Sequence, residues 1–277
     1  MNNYILYKIL LFYDLIAQKY CFNLKNPNKC NTFATYMFTL FLTSSPCGHD
    51  GAIFEKNGFR DELLRQLKGE VRGLYITSSP DDFYGSECAS NGLRQAIEEC
   101  GVQIVQWTLL DRRNIIEAHS LVREANLIIL GGGHVPTQHK FFLEMSLRDA
   151  LHAYEGVLLT ISAGSMNCAD EVYSIPELPG EIRNPEYKRF FPGMGLTNIQ
   201  ILPHYYEWKD FVLDGMKVYN EVAAKDSMGK RFYIFPDGTY LYSMYGYEEI
   251  RGEAFLMENG IFRKICEDDQ RVLLPII

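Results

Sequence analysis

The chain has 277 residues, 47% of them hydrophobic, so it is long enough to bury a sizeable core and within the range of one large α/β domain. Its formal net charge is −8 and its Lys and Arg residues form no block, which argues against nucleic acid and against an anionic membrane as partners. Seven scattered cysteines with no C-x-x-C pair indicate neither a zinc site nor a disulfide framework, and they suit a reducing cytoplasm.

Residues 1–36 differ in character from the rest of the chain, being rich in Tyr, Phe, Leu, Asn and Lys. Their apolar run, Ile9 to Tyr13, is too short for a membrane span and is broken by Asp14. The segment also lacks the basic start and small-residue cleavage site of a signal peptide. It reads as an atypical N-terminal extension: an added helical arm, a poor signal segment, or upstream sequence ahead of a natural start at Met37. The last is preferred because a strand begins directly after Met37. Residues 37–277 are then read as a single domain.

From there strands and helices alternate. A strand over 38–45 is closed by Pro46 and Gly48, and apolar residues at helical spacing occupy 54–68. A strand over 73–80 ends in Ser-Ser-Pro, and a helix over 85–100 is stopped by Gly101. Strands are expected over 102–107 and 126–130 with a helix over 111–124 between them, and the second strand runs into Gly131-Gly132-Gly133-His134. After a helix over 137–154 comes Val157 to Ile161, a continuous apolar run of the kind a buried parallel strand shows. Such alternation implies βαβ units, a parallel sheet, and functional groups gathered beyond the carboxyl ends of its strands. Ser45, Ser79, the Gly131–His134 turn and Ser162 all fall at such ends.

The second half is less regular. Pro176, Pro179, Pro185 and Pro192 punctuate a stretch expected to form a long loop over the site. A strand over 197–202 leads into Pro203-His204-Tyr205-Tyr206, and a helix is expected over 208–227. Residues 231–265 read as short strands with turns at Pro236-Asp237-Gly238, Gly246 and Asn259-Gly260.

Ser162 stands where the apolar strand meets Ala163-Gly164-Ser165, the sequence form of a strand-to-helix turn that exposes a serine hydroxyl. Thr160 replaces the usual first glycine, and the segment alone also fits an ordinary turn with a helix-capping serine. A serine hydroxyl becomes a nucleophile only when a positioned base takes its proton and a carboxylate orients that base. His204, after a strand, and Asp237, in a Pro-Asp-Gly turn, are the candidates at strand ends. Glycines 131–133 let backbone N–H groups approach a ligand. A dinucleotide loop is disfavoured because Pro136 stands where G-x-G-x-x-G needs its third glycine.

Ile128 to His134, Ile161 to Ser165, Leu202 to Tyr205 and Phe235 to Gly238, in that order, resemble the serine peptidases that include aspartyl dipeptidase (peptidase E) and cyanophycinase. The resemblance spans Met37 to about Ile265. It implies an α/β three-layer sandwich with a mostly parallel central sheet, like that of class I glutamine amidotransferases, with extra C-terminal β-hairpins. It further implies a catalytic Ser162, His204 and Asp237, with Glu177 the second choice for the acid, and an oxyanion hole formed by the amides of Gly132 and Ala163. Gly133, His134, Tyr205 and Lys217 are the expected substrate-binding residues, although Tyr205, Tyr206 and Trp208 fit a core position equally well. An Asp-selective member carries a basic side chain in the segment after the catalytic His. Here Lys217 is only a loose match, so aspartyl preference is not expected to carry over. A glutamine amidotransferase is disfavoured because its nucleophile is Cys. The expectation is a cytoplasmic serine hydrolase acting on dipeptides or small peptides, with no cofactor or metal; a homodimer is left open. The alternative is a catalytically silent binding protein on the same scaffold.

Overall fold

A computed structural model describes residues 36–244 and 247–274, so the extension read over residues 1–36 lies, but for Tyr36, outside the described residues. Five strands form the expected parallel core: β1 (Thr39–Thr43), β2 (Val71–Ile76), β3 (Ile104–Leu110), β4 (Leu127–Leu130) and β5 (Val157–Ile161). In the sheet they lie in the order β3-β2-β4-β5-β1. All four pairings are parallel. The inner strands β1, β4 and β5 are buried on both faces, which is why their sequences run apolar without alternation.

Successive side chains still point to opposite faces, and two separate cores result. Leu158 belongs with Leu40, Ile128, Phe141 and Leu151 on one face, whereas Leu159 belongs with Phe41, Ile129, Phe59 and Ile97 on the other. The helices α1 (Phe59–Gln66) and α2 (Phe83–Glu99) supply the second set. The helices α3 (Ala118–Glu124), α4 (Val135–Glu144) and α5 (Leu147–Leu151) supply the first. That is the three-layer α/β sandwich.

A short helix α6 (Ala163–Met166) follows β5, and β6 (Glu171–Tyr173) pairs with β7 (Phe190–Pro192) across the Pro-rich segment. Then come β8 (Gln200–Leu202), α7 (Tyr205–Trp208), β9 (Val212–Leu213), β10 (Met216–Lys217) and α8 (Ala224–Asp226). The helix expected over 208–227 is therefore wrong in its first half. Asp214 and Gly215 both have positive φ, 52° and 85°, and close a β9–β10 hairpin; an Asp-Gly turn outweighs weak helical periodicity.

The C-terminal strands are β11 (Arg231–Ile234), β12 (Tyr240–Met244), β13 (Tyr247–Arg251), β14 (Ala254–Glu258), β15 (Ile261–Cys266) and β16 (Arg271–Leu273). The strands β12, β13 and β16 extend the main sheet antiparallel from β1, making eight strands in all. A second sheet, β15-β14-β11-β8, has one parallel pairing, β8 with β11. Its apolar face contributes Leu202, Phe232 and Ile234 to a third core, shared with Ala163, Met166 and Tyr219. Among the described residues no helix is long and apolar enough to cross a membrane, and the described cysteines are free.

Candidate functional site

Strand register alone brings the candidate residues together. Thr43 stands opposite Ile161 in the β1–β5 pair, so Ser44 comes beside Ser162. Leu130 stands opposite Thr160, so the glycine turn flanks Ser162 on its other side. Ile234 stands opposite Leu202, which puts the segments ending in Asp237 and His204 next to each other. Between β11 and β12 the chain passes from the second sheet to the first, and Asp237 sits in that crossing. Thr43 opposite Tyr240 returns it to Ser44.

At Ser162 the backbone has φ 50° and ψ −111°, a conformation that a residue with a Cβ rarely adopts. Its N–H is shared between the carbonyls of Thr43 (3.0 Å) and Ser44 (3.1 Å), and its own C=O accepts from Met166 N at 3.0 Å. Gly164 is required behind it: a Cβ there would come within 2.4 Å of Leu130 O. Thr160 is accommodated because its hydroxyl meets Phe41 O at 3.0 Å and Ser165 Oγ at 2.7 Å, inside a buried hydroxyl cluster. The strain at Ser162 is measurable. Gly at position 162 is expected to be more stable than Ala by about 1–2 kcal/mol in urea denaturation, the reverse of the usual order.

His204, itself at φ 56°, presents Nδ1 to Asp237 Oδ1 at 2.8 Å. A carboxylate there accepts, so Nδ1 carries the hydrogen and Nε2 keeps its lone pair; Nε2 has no hydrogen-bond partner among the described residues. Burial alone would lower the His204 pKa, but the hydrogen bond and charge of Asp237 outweigh it and hold the imidazole above its ordinary value. Burial correspondingly works against Asp237, yet the His204 hydrogen bond and charge, helped by Ser44, bring its carboxyl below the usual range. Ser44, fully buried, touches all three candidates. Its carbonyl accepts from Ser162 N at 3.1 Å, and its Oγ accepts from His204 N at 2.8 Å and donates to Asp237 Oδ1 at 2.5 Å. The neighbouring Ser45, the serine at this strand end that the sequence brings forward, makes only a local turn, its hydroxyl donating to Cys47 O at 2.8 Å.

The glycine turn lies directly against Ser162, since a Cβ on Gly132 would come 3.2 Å from Ser162 Cβ. Gln138 Nε2 donates to Gly131 O at 2.7 Å. In a trans peptide that fixes the Gly132 N–H in the opposite direction. Neither this N–H nor that of Ala163 has an acceptor among the described residues. Gln138 is itself held by Asn167 Nδ2 at 3.1 Å, and Ser78 Oγ donates to Gly132 O. These supports are separated in sequence and carry no motif of their own.

Ser162, His204, Gly132 and Gly133 line one cavity of about 390 Å³, walled by Ile175, Leu202, Trp208 and Tyr219 and by one acid, Glu177. Burial, then the neighbouring Glu181, push the Glu177 carboxyl up to about 7. The carboxyl makes no hydrogen bond to His204, whose Nδ1 is taken by Asp237. Tyr205 packs among Tyr206, Tyr219, Phe255 and Phe262 rather than facing the cavity. His134 is engaged by Thr137 at 2.8 Å and Glu181 at 3.0 Å. Lys217 is exposed on β10, outside the cavity lining. His139 is half-buried, with its ring 4.4 Å from that of Phe191. Cys168 is buried, and burial pushes its thiol pKa up, as its packed position leads one to expect. Among the described residues no three His, Cys, Asp or Glu side chains group to hold a metal.

No family model matches the chain, and no curated protein sequence matches it. Solved structures do. A peptidase from an acI-B1 Actinobacterium superposes with a TM-score of 0.63 at 17% identity, over 87% of this chain and 98% of that one. A candidate peptidase E from Listeria monocytogenes EGD-e aligns with a TM-score of 0.47 at 15% identity, over 83% and 99% of the two chains. The first likeness shows a shared fold, the one that the four sequence segments imply.

Proposed function

We propose that this chain is a serine-type peptidase, similar to peptidase E, that hydrolyses dipeptides or small peptides. The observation that carries this reading is the strained Ser162 turn sharing a cavity with an imidazole whose Nδ1 is held by a buried carboxylate at 2.8 Å. In the reaction, His204 Nε2 takes the Ser162 hydroxyl proton as Oγ attacks the carbonyl carbon. The Gly132 and Ala163 amides receive the developing oxyanion, each worth about 3 kcal/mol of transition-state stabilisation. His204 then passes the proton to the leaving amine, and a water repeats the sequence to release the acyl group. A cavity of about 390 Å³ suits a dipeptide or a similarly small ligand rather than a folded protein chain. Free cysteines at every described position fit a reducing cytoplasm.

A fluorophosphonate probe tests the reading. Wild-type protein should be labelled at Ser162, seen by mass spectrometry, and both Ser162→Ala and His204→Ala should lose the label. Folded wild-type protein that takes no label would favour the silent binding scaffold instead.

A further inference from the structure

The substrate end that enters the cavity is marked by its charges. Glu177 is the one ionisable lining residue apart from His204 and Tyr219, and no Lys or Arg stands in the lining. Its backbone is secured, with Glu181 Oε2 accepting from Glu177 N at 2.8 Å and from Leu178 N at 2.9 Å. The Glu177 carboxyl, by contrast, has no hydrogen bond or ion pair among the described residues. A carboxylate with no hydrogen-bonded partner among apolar walls is costly to charge; His204 offsets part of that cost, and a ligand ammonium would offset more. The remaining walls, Ile175, Leu202, Trp208 and Tyr219, offer apolar and aromatic surface.

Resting on the peptidase reading of Ser162, the geometry points to a substrate whose free α-ammonium binds Glu177 and whose apolar first side chain lies against Trp208, Tyr219, Ile175 and Leu202. The enzyme then removes or releases an amino-terminal apolar residue. A carboxypeptidase would need a fixed cation for the terminal carboxylate, and the lining holds no Lys or Arg. An acidic first side chain would face the Glu177 charge and apolar walls, both unfavourable. The raised Glu177 pKa agrees, since burial and the neighbouring Glu181 disfavour its charged form and an ammonium would favour it.

Binding to the Ser162→Ala protein separates this inference from the reaction. Calorimetric titration with leucinamide, N-acetyl-leucinamide and aspartic acid α-amide should show leucinamide binding at least tenfold more tightly than either of the others. Adding Glu177→Gln should remove the advantage of leucinamide over its N-acetyl form and leave the N-acetyl affinity unchanged. Equal affinity for the acetylated ligand, preference for the aspartyl ligand, no binding of any of the three at millimolar concentration, or an undiminished advantage in Glu177→Gln would overturn the inference. Should the expected pattern appear in a protein whose wild type takes no fluorophosphonate, the cavity assignment stands and the hydrolase reading falls. Labelling at Ser162 without the pattern gives the converse.

Discussion

Asn in place of Asp237 is expected to lower kcat/KM by about 10³–10⁴-fold while the protein stays folded. Asn keeps the shape but turns an acceptor-only group into one that can donate, so the imidazole loses the tautomer with a free Nε2 lone pair. The pH profile identifies the cause. In the proposed reaction His204 must be neutral to take the Ser162 proton, and in the wild type the Asp237 hydrogen bond and charge hold the imidazole above its ordinary value despite burial. Wild-type kcat/KM should therefore climb with pH along a limb above the usual histidine pKa of about 6.5. Asp237 itself, held low by His204, stays ionised throughout that range. With the carboxylate gone, burial is the larger remaining influence, and the limb should move to lower pH. Steady-state kinetics from pH 5 to pH 9 would measure this. Unchanged activity in Asp237→Asn, or a limb that stays in place, would transfer the acid role to Glu177.

Ser44→Ala is expected to reduce kcat by about 10- to 100-fold, with KM altered far less, and to cost about 1–3 kcal/mol of stability. Alanine leaves the His204 N–H and one lone pair of Asp237 without their buried partner, while the Ser44 carbonyl still holds Ser162. The left-handed His204 backbone and the carboxylate would both gain freedom, so the dyad would spend less time in register. A purely structural role would lower stability without touching the pH profile. A positioning role moves the acid limb in the same direction as Asp237→Asn, only less. It also makes the double variant Ser44→Ala/Asp237→Asn less damaging than the sum of the two changes, because both act through one imidazole. Additive losses with an unshifted limb would refute it.

The parallel core was readable because β1, β4 and β5 are buried on both faces, and burial of that kind writes an uninterrupted apolar run into the sequence. Turn chemistry was readable where the residue type is obligatory, as at Asn259-Gly260, where both φ values are positive. The same kind of signal at Asp214-Gly215 was outweighed by apparent periodicity, and the helix expected there is a hairpin. At the site, Ser162, His204 and Asp237 stood out because each combines a chemically specific residue type with the end of a strand. Ser44, Gln138 and Asn167 did not, since a buried serine or amide looks like any other polar residue until its partners are known.

What the amino-acid order determined by itself was the local form: which runs become strands, where the chain turns sharply, and which side chains are candidates for acyl transfer. The tertiary structure decided which of these meet. Asp237 reaches His204 because β8 and β11 pair in parallel in a second sheet, and it reaches Ser44 because the next strand, β12, crosses to the first. Those pairings join partners separated by 33 and 193 positions through backbone register, a long-range property that no local pattern encodes. The meeting of Glu177 with Ser162 and His204 in one cavity is likewise a fact of assembly, since the three lie in separate segments of the chain.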